Sequence, residues 1–433
     1  MKHSVLVLVA CVGLLLSLVL ALPLMASGND ETVTTLTFVT YENIVQNLQF
    51  VVDKFENIHP DIHIKLVGYP FQQMFEVIET KMQAHSRDID ILNVDVPLIA
   101  NYSIKGYLEP LDKYFAIANA TEFTEAALNA SIFDGKFMAA PMNSSSVGMF
   151  INVGLFKEYG VEIPSTDPAE RWTWEKVVQA AQQLTRDTNG DGKTDIWGFA
   201  FDQISQPYQM LPLAQSLGGK GISTDGLTAT GYVNADPWIE AAQFYQDLFQ
   251  TYKVSPLGIG PFESPALFTA DRLAMILTGP WHIGEFDSVE GLDWIYVPHP
   301  YFARGKPATP TGSWHFGVSK YSEHKDAAAE FVKFITLHEG SLIYYVHDRN
   351  LPANKLTLSY AQEQGEQQKD APILLGIYET THTAVARPKT PGYSDWSTVM
   401  ARAFEDIRNG LDPKTVLDQA AAQIDGLLAK YRQ

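Results

Sequence analysis

Hydrophobic and polar positions fall into a repeating order near the start of the chain. Val33 to Thr40 is a run rich in β-branched residues and reads as a strand. Val45, Leu48, Val51, Val52 and Phe55 follow at helical spacing. Ile62 to Val67 alternates as a second strand, Phe71 to Gln83 reads as a helix, and Ile89 to Val94 as a third strand. A β-α-β-α-β opening predicts an α/β fold with a parallel sheet covered by helices, and in open sheets of that kind ligands sit beyond the carboxyl ends of the strands. From Trp172 to Phe286 the pattern is mostly helical, with loops rich in Gly and Pro. Phe316 to Ser319 is strand-like and Lys325 to Leu337 helical. Two helices close the chain. The first carries Val399, Met400, Ala403, Phe404 and Ile407 and stops at Gly410; Asp412-Pro413 starts the second, whose stripe is Val416, Leu417, Ala420, Ile424, Leu427 and Leu428. Val45, Leu48, Val52, Phe55, Phe331, Phe334 and Ile335 are expected in the core.

The chain has 433 residues, 46% hydrophobic and 19% charged, enough for two or three packed domains. Its net charge of −19 repels phosphate backbones and argues against nucleic acid and anionic membrane surfaces as main partners. Lys2 precedes an uncharged, mostly apolar stretch from Val5 to Met25, and Ala26, Ser27 and Gly28 follow. Residues 1–28 read as an export signal cleaved near Gly28, or as an uncleaved anchor; either places the remainder in the periplasm or outside the cell. Cys11, the only cysteine, lies inside the apolar core and not after it, so it reads as filler and not as a lipid anchor. The exported part then has no disulfides and no Cys-metal sites.

Enzyme motifs are mostly missing. Gly192-Lys193-Thr194 is half a P-loop, but the glycine required at 187 is Asp187. No G-x-G-x-x-G, G-x-S-x-G or H-E-x-x-H occurs. His59 and His63 read as solvated surface. The sequons at Asn101, Asn119, Asn129 and Asn143 read as chance. No motif singles out a glycosidase acid and nucleophile among the 50 acidic residues. One loop resembles a calcium site: Asp187, Asn189, Asp191 and Asp195 stand at oxygen-ligand positions, Lys193 would offer its carbonyl, and Gly192 falls at the sharp turn. Gly198 replaces the closing Glu, so the choice lies between a structural calcium and a tight loop of Asx turns.

Ordered motifs then converge. They are Phe55-Glu-x-x-His-Pro-Asp61-Ile62, Asp90-Ile-Leu-Asn-Val-Asp95, Gly106-Tyr-Leu-Glu-Pro-Leu-Asp112, Gly135-Lys136 to Pro141, Asn152, Trp172-Thr-Trp-Glu-Lys176, Ala274-Met-Ile-Leu-Thr-Gly279-Pro280-Trp281 and Gly312-Ser-Trp314-His-Phe-Gly-Val-Ser-Lys320. Together, from about Val33 to the C-terminus, they resemble the extracellular sugar-binding proteins of bacterial ABC importers, the group that includes maltose-binding protein. The resemblance implies a two-lobed periplasmic-binding-protein fold whose chain crosses a hinge three times, near Met142–Ser145, Thr311–Ser313 and His347–Asn350. The first lobe would be 33–142 plus 313–347, and the second 145–311 plus 350–433. It implies a monomer that closes on a neutral mono-, di- or oligosaccharide, delivers it to a membrane permease and does no chemistry on it, with no cofactor beyond that calcium. The same fold binding a polyol or glycerol phosphate is the alternative, with a secreted glycoside-active enzyme behind it.

Pyranoses offer apolar faces to aromatic rings and hydroxyls to carboxylates, amides and Arg. Trp281, after Gly279-Pro280, is implied to stack on sugar. Trp314 lies beside Gly312, which lets a ligand approach the backbone. Tyr41 and Glu42 follow the first strand and Asp95 the third, at strand ends where the α/β rule puts ligands. Asn143 and Ser145 lie at the first crossing, and Arg349, the one cation among these candidates, at the third. Trp396, with Tyr393, either reaches the ligand or starts the helix stripe through Val399. A phosphate ligand would want a cluster of cations, so these candidates favour a neutral carbohydrate.

Overall fold

The computed structural model describes residues 33–116, 121–312 and 314–432. The export-signal reading of residues 1–28, Cys11, the Asn119 sequon and Ser313 lie outside the described residues. The strands are β1 (Thr34–Tyr41), β2 (Ile62–Tyr69), β3 (Ile91–Asp95), β4 (Ile132–Phe133), β5 (Lys136–Phe137), β6 (Ala140–Pro141), β7 (Gly148–Asn152), β8 (Ala200–Phe201), β9 (Met275–Thr278), β10 (Trp294–Val297), β11 (Thr309–Pro310), β12 (Trp314–Val318) and β13 (Ala384–Val385).

Nine of them form two sheets, while β4 pairs with β5 and β11 with β13. The first runs β2-β1-β3-β12-β6, the second β10-β7-β9-β8. β1 is parallel to both β2 and β3, as the opening pattern predicts, while β12 and β6 run antiparallel and make the sheet mixed. On one face of the first sheet Leu36 and Phe38 pack against Leu48, Val52 and Phe55 of the helix Val45–Ile58 and against Phe316 and Phe331. The Phe38 ring meets Phe316 edge-on at 5.0 Å. Ile335 joins this core, whereas Val45 and Phe334 are only half-buried. The second sheet is buried on both sides: every residue of β7 and β9 is buried, so these strands read as continuous apolar runs and not as alternation.

Between the sheets three chain segments lie side by side. Asn143 bridges Pro352 and Ser145 bridges Gly312, all antiparallel. The Ser145 and Gly312 backbones exchange hydrogen bonds at 2.7 and 3.1 Å, and Ser144 N–H donates to Leu351 O at 2.7 Å. Gly312 is required here by contact: a Cβ would lie 2.4 Å from Ser145 Oγ and 2.8 Å from the Tyr208 hydroxyl.

The third passage differs from expectation. The helix His338–Asp348 ends at Arg349 in the left-handed region, but the chain does not leave the first lobe there. Thr124 N–H donates to Ala353 O and Lys355 N–H to Glu122 O. Only the helix Ala371–His382 joins the second sheet, through Leu375 packed with Phe150 and Tyr296. A left-handed cap ends a helix but does not decide which side the following extended segment lies on.

Candidate functional site

The cleft between the sheets is built from strand ends. β1 delivers Tyr41 and β3 delivers Asp95, and Trp314 starts β12 directly opposite Asp95 in the ladder. The Trp314 ring lies 5.0 Å from Tyr41, 5.9 Å from Phe71 and 6.1 Å from Phe75, with which it is stacked. Phe71 opens the helix Phe71–Gln83 straight after β2, so the same strand-end logic places all four groups.

The second lobe faces them with Tyr208, on the helix Pro207–Ser216, and with Trp281. Trp281 sits in a one-turn 3₁₀ helix, Pro280–His282, directly after β9. Its ring folds back over Gly279, where a Cβ would lie 2.0 Å from it, and remains half-buried 6.4 Å from Tyr208. Behind Trp281, the His282 imidazole lies 2.7 Å from a Glu285 carboxylate oxygen and 3.4 Å from the fully buried Asp202. Burial alone would lower its pKa, but the bonds to Asp202 and Glu285 prevail and raise it to about 9. The ring is therefore a cation at neutral pH.

At the floor, Arg387 from the segment after β13 crosses to the first lobe and holds Asp95 with both arms of its guanidinium, one bond being 2.7 Å. Its Nε–H also donates to Thr311 O. The guanidinium lies 5.2 Å from the Tyr208 ring and 6.0 Å from that of Tyr393. Burial opposes its charge, yet the Asp95 carboxylate more than compensates and its pKa is raised. Burial pushes the Tyr208 phenol up to about 12 and that of Tyr41 well above its ordinary value. Both phenols therefore stay protonated as neutral hydrogen-bond donors. An aromatic-lined cleft with neutral hydroxyls and one internally compensated charge pair suits an uncharged polyhydroxylated ligand.

The expected candidates divide. The structure brings Tyr41, Asp95, Gly312 and Trp314 to one cleft wall and turns Trp281 toward the other. Glu42 is exposed at the rim, in the turn after Tyr41. Asn143 stands at the same place but faces inward: it is 2% exposed, and its Oδ1 accepts from Trp314 N–H at 2.8 Å. It positions Trp314 and has no face toward the cleft. Ser145 Oγ lies 3.3 Å from the Tyr208 hydroxyl.

Two candidates are corrected. Trp396 is wholly buried; its indole N–H donates to Gly221 O at 2.9 Å, and its ring packs against Trp238 and Tyr393. It belongs to the helix stripe with Val399 and Met400 and cannot reach a ligand. Arg349 binds Asp370 and spends its guanidinium there, outside the cleft.

The loop Asp187–Asp195 turns its oxygens on itself. Asp187 accepts from the Gly190 and Gly192 N–H groups at 2.7 and 2.8 Å, Asn189 from Asp191 N–H and Asp191 from Lys193 N–H. Asp195 accepts from Thr188 through both backbone and side chain, which lowers its pKa. Among the described residues no group of three or more His, Cys, Asp or Glu is arranged to hold a metal ion, so the calcium expectation for Asp187, Asn189, Asp191, Lys193 and Asp195 gains no support from geometry. These hydrogen bonds form Asx turns.

Arg387, Tyr208, Phe71 and Phe75 are the residues of the cleft that sequence reasoning misses. Phe71 carried a usable signal, since it follows β2 as Glu42 follows β1. Arg387 carried none: it sits in a Pro-rich segment far along the chain from Asp95.

The model of a family described as "Bacterial extracellular solute-binding protein" matches residues 41–341. A galactooligosaccharide-binding protein of Bacillus subtilis is 25% identical over 96% of this chain and 95% of its own length. Among solved structures, an ABC substrate-binding protein from Listeria monocytogenes in complex with cycloalternan superposes with a TM-score of 0.79 at 24% identity, covering 91% of this chain and 99% of that one. The Thermus thermophilus maltotriose binding protein bound with maltotriose gives 0.76 at 20% identity over 92% of this chain and 100% of its own.

Proposed function

This chain belongs to the bacterial extracellular solute-binding protein family, and we propose that it captures a neutral saccharide between its lobes and delivers it to the membrane permease of an ABC importer. The observation that carries this reading is the cleft wall of Tyr41, Trp314, Phe71 and Phe75 set against Tyr208 and Trp281. Stacked and tilted rings bind the C–H faces of sugars, and the neutral phenols and backbone groups at the hinge bond hydroxyls. The printed ligands of the relatives, a galactooligosaccharide, cycloalternan and maltotriose, support the same class.

Lobe closure follows from a ligand that touches both walls, because it then binds the closed form better than the open one; periplasmic binding proteins are a standard instance of such hinge closure. We place the first lobe at 33–142 with 314–355 and the second at 145–311 with 371–432. The family is one of solute binders and not of enzymes, and the chain acts as a carrier that leaves its sugar intact. It works outside the cytoplasmic membrane, and no helix among the described residues is long and apolar enough to cross one. A glycerol phosphate is disfavoured by charge: Arg387 and Arg349 are both paired with carboxylates of the protein itself.

A thermal-shift screen of neutral mono-, di- and trisaccharides, mannitol and glycerol 3-phosphate tests this. A sugar at about 100 times its Kd stabilises the protein by about 2.7 kcal/mol, so one or more neutral sugars raise the melting temperature by several degrees. A response to glycerol phosphate or mannitol alone rejects the saccharide reading.

A further inference from the structure

We propose that Phe71 and Phe262 form an outer sugar subsite at the exposed end of the cleft, and that the preferred ligand is accordingly a saccharide of at least two rings. This rests on the saccharide reading above and narrows it. The two side chains come from opposite lobes. Phe71 begins the helix after β2. Phe262 lies in a loop of the second lobe, tied to the end of β8 by its own N–H, which donates to Asp202 O at 2.8 Å. The ring centroids are 5.4 Å apart and tilted by 55°.

Phe262 is an unusual residue to find there. Its φ is +67°, a left-handed conformation that a bulky aromatic side chain ordinarily avoids. It is also 40% exposed, so burial does not repay the strain. Strained residues of this kind persist at ligand clamps. Its ring meets that of Phe71 from the opposite lobe.

The inner end of the cleft is taken up by the protein's own side chains. Asp95 and Arg387 close the floor between Tyr208 and Tyr393. From Trp314 the aromatic row runs outward instead, to Phe71 at 5.9 Å and on to Phe262. Exposure rises along this row, from half-buried Trp314 and Phe71 to exposed Phe262. A first ring seated on Trp314 and Trp281 directs any further ring along this row. A sugar ring seated between the phenylalanines exchanges ring–ring contact for ring–sugar contact on two sides.

Titration calorimetry with two series tests the inference: galactose, galactobiose and galactotriose, and glucose, maltose and maltotriose. Wild type binds the di- or trisaccharide of one series more tightly than its monosaccharide. Phe262→Ala weakens binding of the longer sugar by about three- to tenfold while changing the monosaccharide by less than about twofold, and Phe71→Ala, whose ring also packs on Trp314, weakens the longer sugar by at least as much. Phe262→Tyr retains the longer sugar to within about twofold. Phe262→Gly, which relieves the strain, melts no lower than wild type and still loses affinity for the longer sugar. Equal losses for short and long sugars in Phe262→Ala, or no loss for the long one, overturn the outer subsite and leave the saccharide reading standing. Wild-type protein that binds monosaccharides as tightly as trisaccharides does the same. Wild-type protein that binds no sugar of either series removes both.

Discussion

Trp281, Trp314 and Trp396 show how much a single residue reveals. All three were candidates for stacking on a ligand, and the neighbours of each decide its fate. Trp281 follows a Gly-Pro turn at a strand end, and Trp314 opens a strand opposite Asp95; neither belongs to a helical stripe. Trp396 lies three residues before Val399 in an amphipathic helix, and the competing reading as core was visible in that spacing. Trp396→Ala removes a wholly buried indole and its bond to Gly221 O. It costs about 3–5 kcal/mol by chemical denaturation. Trp281→Ala, by contrast, leaves the fold largely intact, because its ring is half-buried, and weakens sugar binding by about tenfold or more in calorimetry. A Trp396→Ala protein as stable as wild type would put that residue back at the surface.

At the scale of elements, periodicity made most of the scaffold legible. The helix Phe71–Gln83 is where the apolar spacing puts it, and β1 and β2 lie within two residues of expectation. What periodicity could not supply was pairing across long sequence separations. The hinge is an example, since its three short segments have no pattern of their own and are fixed only by each other. Gly312→Ala pushes a Cβ into Ser145 Oγ and the Tyr208 hydroxyl, and it lowers stability by about 1–3 kcal/mol. Adding Ser145→Ala relieves one of the two overlaps and recovers part of the loss.

The Pro280–His282 turn carries a pH dependence. The folded pKa of His282, about 9, lies above its ordinary value near 6.5. A raised pKa means that protonation stabilises the fold: the contribution is complete below pH 6.5 and is lost as pH rises through about 9. Melting temperature should therefore fall between pH 7 and pH 10 in wild type, and fall less in His282→Gln, which starts lower. Because Trp281 is the neighbouring residue in the same turn, sugar affinity weakens over the same range. A flat melting profile across that interval in wild type contradicts the charged state of His282.

At the scale of the whole molecule, two lobes are tied across the cleft by several contacts among the described residues. Asp95 grips Arg387, Asn101 Nδ2 donates to Pro391 O, and Phe71 meets Phe262. The two-lobed architecture was readable from ordered motifs, whereas these contacts were not, because each joins residues that nothing in the sequence links. The residue at the end of β3 reads from the sequence as a ligand contact, and the structure adds what the sequence did not show, a bidentate partner 292 positions further along. Asp95→Asn leaves Arg387 nearly buried without an anion and lowers stability by about 3 kcal/mol. It also removes a tie between lobes, so small-angle scattering of the sugar-free variant gives a larger radius of gyration than wild type. An unchanged radius would mean that the ion pair does not hold the lobes together.

The most direct test is calorimetric titration of the exported protein with the neutral sugar that best raises its melting temperature, followed by analysis of the recovered sugar. The expected result is saturable binding at one site per chain, with a negative heat-capacity change from buried aromatic surface, loss of that binding in Trp281→Ala and Trp314→Ala, and the sugar recovered whole. Binding that survives both substitutions, or a sugar returned cleaved, would contradict a carrier that holds an intact saccharide between these two indoles.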